Sequence, residues 1–217
     1  MRIRATLIII GFMLVLFTYT FPFWQPLVFQ TPESVEILFP GLPLNLQSAF
    51  ASLPPDQQRT YLEFARADTP GTVRMVMAAL EPRVPLPEED QEMPEMIAAQ
   101  PIAAGRFTAL DPVRWGQGRV TIFQDTENRF LLRFEDFSML GGVDLRVAFS
   151  PAEAPTTVEA MRVGEVEFLE VSPLLSSMGN QNYELPEGFT LVPYRSVVIY
   201  SGALNRVYTV APLAVRQ

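Results

Sequence analysis

The chain has 217 residues, room for one ordinary domain with smaller accessory segments, and at 48% hydrophobic and 18% charged it is too apolar to remain disordered. A net charge of −8 without any basic stripe excludes a nucleic-acid partner, because phosphate binding needs clustered cations. All 16 basic residues are arginine, and the lack of His, Lys and Cys removes the common general base, the Schiff-base amine, the thiol and the usual zinc and copper ligands. These absences predict a protein that is not an enzyme and carries no cofactor.

At the N-terminus, residues 5–24 are free of charge and rich in Leu, Ile, Phe and Val, enough for roughly 30 Å of helix. Arg2 and Arg4 precede this run and the first acid, Glu33, comes after it, so charge bias places the N-terminus in the cytoplasm and the remainder outside. Tyr19, Phe21, Phe23 and Trp24 sit where an outer aromatic belt would lie. The stretch Thr18 to Trp24 has no small-residue cleavage site, which favours a retained anchor over a removed signal peptide. Residues 1–32 therefore read as a basic end plus a single membrane-spanning signal anchor.

Residues 33–80 read as a small helical module. Helices are expected at Glu33–Leu38, at Asn45–Leu53, from Asp56 through Ala65, and from Gly71 to Leu80 behind a Thr69-Pro70 start. On the last of these, Val73, Val76, Met77 and Leu80 form the expected packing stripe. Residues 81–101 read as a linker, because Pro82, Pro85, Pro87 and Pro94 alternate with six acids. Proline stiffens such a segment and charge repulsion extends it, so it is expected to separate the helices from the C-terminal region.

From residue 102 to 217 the pattern changes to short β-like runs at 119–123, 130–134, 144–149, 166–171, 196–200 and 206–210, separated by turn signals at 124–128, Gly141-Gly142 and 179–182. Such spacing predicts a mainly β domain, an antiparallel β-sandwich. Calcium or magnesium would be the metals left to oxygen ligands, but Asp125-Thr126-Glu127-Asn128 lacks an EF-hand pattern, and Gly116-Gln117-Gly118 lacks the third glycine of a dinucleotide site. Asp144 could bind turn amides, pair with an arginine or meet a calcium ion. Glu165 and Glu167 are expected on one wetted strand face, with Glu170 in the same acidic set. Trp115, Phe107, Phe137 and Tyr183 read as core or turn anchors.

The blocks Gly105-Arg106-Phe107, Gly116 to Val120, Leu131 to Phe137 running into Gly141 to Val147, Gly179 to Pro186, and Ser196 through Leu213 succeed one another in an order that resembles the DM13 domain family over residues 103–214. The resemblance implies a compact β-sandwich in extracytoplasmic proteins and an electron-transfer role resting on an aromatic–cysteine pair. The positions matching that pair are Tyr200 and Ser201, so the reactive thiol is absent. Tyr200 and Ser201 are the candidate surface; Gly105, Phe107, Asp144, Tyr183 and Pro186 are motif residues expected to serve structure. The expected function is a non-catalytic binding module at the cell envelope, with the membrane as partner through residues 5–24 and an envelope protein or glycan as ligand. The alternative is a redox-associated protein that relies on a bound cofactor or partner.

Overall fold

A computed structural model describes residues 11, 13, 15–21 and 39–215. The chain divides into two units, Met1–Ile37 and Leu38–Gln217. In the first unit, residues 15–21 are helical. Most of the expected anchor and the whole of the Glu33–Leu38 helix lie outside the described residues, and among the described residues no helix is long and apolar enough to cross a membrane.

The second unit begins with three helices whose starts are written in the sequence. Pro43 and Pro54 hold the extended backbone that precedes α1 (Leu44–Ala51) and α2 (Pro55–Ala67), where a missing N–H at the first turn costs nothing. At α3 (Thr69–Leu80) the cap is Asp68, one residue earlier than the Thr69 start expected: its carboxylate accepts from Gly71 N at 2.9 Å. That helix buries Gly71, Thr72, Met75 and Val76, while Met77 of the expected stripe is exposed. The stripe is rotated because Thr72 satisfies its hydroxyl on the Asp68 carbonyl at 2.6 Å and can therefore go inside.

Among the described residues nine strands complete the unit: β1 (Gln100–Arg106), β2 (Thr108–Ala109), β3 (Gly116–Gln124), β4 (Phe130–Met139), β5 (Leu145–Ser150), β6 (Leu169–Pro173), β7 (Gln181–Glu184), β8 (Ser196–Ser201) and β9 (Arg206–Val215). They form a single antiparallel sheet in the order β6-β5-β8-β9-β1-β3-β4-β7, with β2 added on β9. The mainly β antiparallel character agrees with the sequence reading, but two separate sandwich sheets do not form. Long β9 pairs with β8 over one part of its length and with β1 over another, so the sheet continues through it. The residues joining β6 to β7 then bond to the strands next to both ends of the path, Leu174 N to Leu145 O of β5 at 2.8 Å and Met139 N of β4 to Ser177 O at 2.9 Å. The result is a nearly closed, barrel-like sheet.

Alternation sorts the side chains of this sheet. Val197 and Ile199 of β8, Val147 and Phe149 of β5 and Tyr208 of β9 face the main core, whereas Val198, Tyr200, Ala148, Val207 and Val210 face a second cluster closed by Met161 and Phe168 from the loop after β5. Being covered on both faces is why β8 reads as an unbroken apolar run. In the main core, Phe107, Phe134, Phe137 and Tyr183 meet at ring-centroid distances of 4.9 to 5.2 Å.

The helices join that core. Phe39, Phe50, Tyr61, Met75 and Val76 belong to the same buried cluster as the strand residues. The Phe64 ring lies under two guanidiniums, Arg114 at 5.3 Å and Arg206 at 4.7 Å. Gly141, expected as a tight turn, is glycine for another reason: a Cβ there would sit 2.5 Å from the Ala78 carbonyl oxygen of α3.

The stiff spacer predicted for residues 81–101 is not what forms. Ser176 Oγ donates to Val84 O at 2.7 Å, Arg133 donates to Gln91 O at 3.2 Å, and Asn182 donates to Glu92 O at 2.6 Å. A short helix, α4 (Glu88–Gln91), interrupts the segment. Extended, proline-fixed backbone leaves its carbonyls without local donors, so the sheet supplies them while Glu88, Glu89, Glu92 and Glu95 point to water.

Candidate functional site

The positions singled out by the sequence lie at the end of β8, and neighbouring strands complete their surroundings. Arg146 of β5 is the direct cross-strand partner of Tyr200. One strand further out, Glu170 of β6 reaches back over Arg146. Tyr200 Oη donates to Glu170 Oε2 at 2.5 Å, and Arg146 Nη1 donates to Glu170 Oε1 at 2.7 Å. Arg146 Nε also donates to Asp144 Oδ1 at 3.1 Å, so of the roles open to Asp144 the structure shows the arginine pair. Phe168 packs edge-on against the Tyr200 ring, with centroids 5.6 Å apart and planes at 72°.

This arrangement sets the protonation states. Burial, then the Glu170 hydrogen bond and charge, push the Tyr200 phenol well above its ordinary range. The Arg146 guanidinium is held still more firmly charged by its hydrogen bonds to Glu170 and Asp144. Tyr200 is buried, but Arg146, Glu170 and Asp144 keep about a third of each side chain exposed, so the cluster is a buried phenol under a wetted ionic rim. Among the described residues no group of three or more acids could hold a metal ion.

Ser201 does not join this cluster. It is fully buried, its Oγ donates to Val143 O at 2.6 Å, and it accepts from Leu204 N at 3.1 Å, tying the β8–β9 turn to the end of β5. No free lone pair or proton is directed at solvent.

Residues 107–213 match the family described as Electron transfer DM13. They form a DM13 domain. No curated protein and no solved structure matches the chain.

Within the DM13 domain the remaining motif residues are scattered through the sheet. Gly105 of β1 lies where a Cβ would run into the Pro212 carbonyl oxygen of the paired strand β9, so this close pairing requires glycine. Phe107 is in the aromatic core, and Tyr183 Oη donates to buried Gln181 at 2.6 Å. Glu165 and Glu167 lie before β6, not on a shared strand face, because the expected 166–171 strand begins at Leu169.

Pro186 lines a groove of about 460 Å³ between residues 94–96, the β3–β4 turn and residues 184–188. Its floor is apolar, with Met96, Phe130, Leu131 and Leu185, and its rim carries Glu95, Glu127, Glu184 and Glu187 against one cation, Arg129. That cation is already occupied by Asp125 at 2.7 Å and Glu127 at 3.4 Å. The groove shares no residue with the Tyr200 cluster.

Asp125 shapes the turn beside the groove by accepting from Glu127 N, Arg129 N and Arg129 Nε. Burial pushes its carboxyl up, but the hydrogen bonds from Arg129 and Glu127 and the Arg129 charge overcome this and leave it below its ordinary value. A carboxyl depressed in the folded state contributes stability above its unfolded value, about 3.9, and loses it as pH falls through the folded value. Acidification from neutral into that range should therefore lower the denaturant midpoint of the wild type more than that of Asp125→Asn. Parallel midpoint curves for the two proteins would refute this role.

Proposed function

We propose that the protein is a membrane-tethered DM13-domain protein displayed outside the cytoplasm, acting as a binding module of an electron-transfer family and not through thiol chemistry. The observation that carries the reading is residue 201, where a sealed serine stands at the position the family resemblance gives to cysteine. The charge-free run at residues 5–24 behind Arg2 and Arg4 supports the tether and its orientation. The groove supports binding: an apolar floor with an acidic rim fits a partner, envelope protein or glycan conjugate, that presents cationic groups on an apolar body.

The test uses the full-length protein in detergent as bait in envelope extracts, beside a Glu184→Arg, Glu187→Arg double variant. A partner held by the wild type at low salt, released at high salt and absent from the variant is the expected result. Equal capture by both baits counts against the groove, and no enrichment at any salt counts against binding as the function. Recovery of the protein in the soluble fraction after membrane washing would count against the tether.

A further inference from the structure

We propose that Tyr200 is a one-electron donor whose oxidation is coupled to movement of its phenolic proton onto Glu170. The chemistry begins with the phenol itself: losing an electron makes it a strong acid, so the electron departs readily only when a base is already hydrogen-bonded to Oη. Glu170 Oε2 occupies that place at 2.5 Å. In the step, the Tyr200 Oη–H bond breaks, an O–H bond forms on Glu170 Oε2, and one electron passes to a one-electron-accepting metal centre on a partner. Neutral tyrosyl and neutral Glu170 remain on this chain, the partner centre is reduced by one, and the reverse step restores the phenol and the carboxylate.

The surroundings are those such a step requires. Arg146 holds the other Glu170 oxygen at 2.7 Å, which fixes the carboxylate's orientation, and Asp144 in turn fixes Arg146 at 3.1 Å. Burial against Phe168 and the second core cluster shields the ring from solvent, which protects a radical from quenching. Tyr183 donates to an amide oxygen, and the buried Tyr208 hydroxyl has no hydrogen-bond partner; among the described residues, Tyr200 alone of the tyrosines donates to a carboxylate. Through this pair the chain would keep one-electron chemistry despite having no cysteine.

The experiment uses full-length protein in detergent with a photogenerated ruthenium(III) polypyridyl oxidant, read by transient absorbance and by electron paramagnetic resonance. The expected result is a neutral tyrosyl signal with a hydrogen/deuterium isotope effect, absent in Tyr200→Phe although the other tyrosines remain. Glu170→Gln can still accept the hydrogen bond but cannot take the proton, so it should slow formation of the signal by on the order of 100-fold. A tyrosyl signal that persists in Tyr200→Phe, a tryptophan radical in its place, or wild-type kinetics in Glu170→Gln would each overturn the proposal. Should Tyr200→Phe fail to fold, the Glu170→Gln kinetics and isotope effect decide alone.

Discussion

A fragment beginning at residue 97 is expected to lose cooperative unfolding and to aggregate, whereas one beginning at residue 38 is expected to melt in a single transition. The shorter fragment holds every strand, so the expectation rests on what the helices cover. Tyr61 and Met75 are each about 1% exposed and lie in one buried cluster with Tyr208 and the strand residues. Burial, with the Asp111 carboxylate adding to it, pushes the Tyr61 phenol above its ordinary range. Arg206 donates to the Met75 sulfur at 3.6 Å and covers Phe64, and Arg83 donates to Ser138 at 3.1 Å. Removing the helices leaves Tyr208 and its neighbours facing water, at about 1.5–3 kcal/mol per large apolar side chain. A few such losses equal the whole stability of an ordinary domain. Thermal melts followed by circular dichroism and light scattering distinguish the outcomes; a fragment from residue 97 that melts reversibly at the same temperature as the longer one would show that the helices are dispensable.

Phe134→Ala in the fragment from residue 38 should cost about 3–5 kcal/mol, the range for emptying a buried aromatic site. Phe134 is fully buried in the middle of β4 and touches Phe107, Phe137 and Tyr183. Those three residues come from different parts of the chain, and β4 is held by both β3 and β7, so the wall cannot collapse into the space left behind. Phe134→Leu fills more of the volume and should lose markedly less. Urea titration gives both values, and a loss below about 1 kcal/mol for the alanine variant would mean that the site relaxes.

The strands legible in the sequence are those with β-branched and aromatic runs: β3, β4, β5, β8 and β9, with β6 expected three residues before its start at Leu169. Three are not legible, for physical reasons. β1 contains proline, two alanines and glycine, and is chosen by the close pairing with β9 at Gly105. β2 is two residues long, and β7 is polar because Gln181 is buried with its amide satisfied by Ser176 and Tyr183. The same limit applies to the Tyr200 cluster. The family resemblance points to Tyr200 and Ser201, and Asp144 stands out after its glycine pair, but Glu170 reads as one of a wetted acidic set. Bringing it over Arg146 depends on an irregular register between Val147 and Ala148 in the β5–β6 pair, which no local pattern records.

The hydrogen bonds of Ser201 also bear on evolutionary reversibility. Serine and cysteine differ by one atom, and the pocket that holds Oγ is built from backbone groups, Val143 O and Leu204 N, which any sequence supplies. A thiol at this position would still need room, because sulfur is larger than oxygen and the 2.6 Å approach to Val143 O is too short for an S–H donor. It would also arrive shielded, since residue 201 has no exposed surface, and would meet an oxidant or a second thiol only when the 202–205 turn opened.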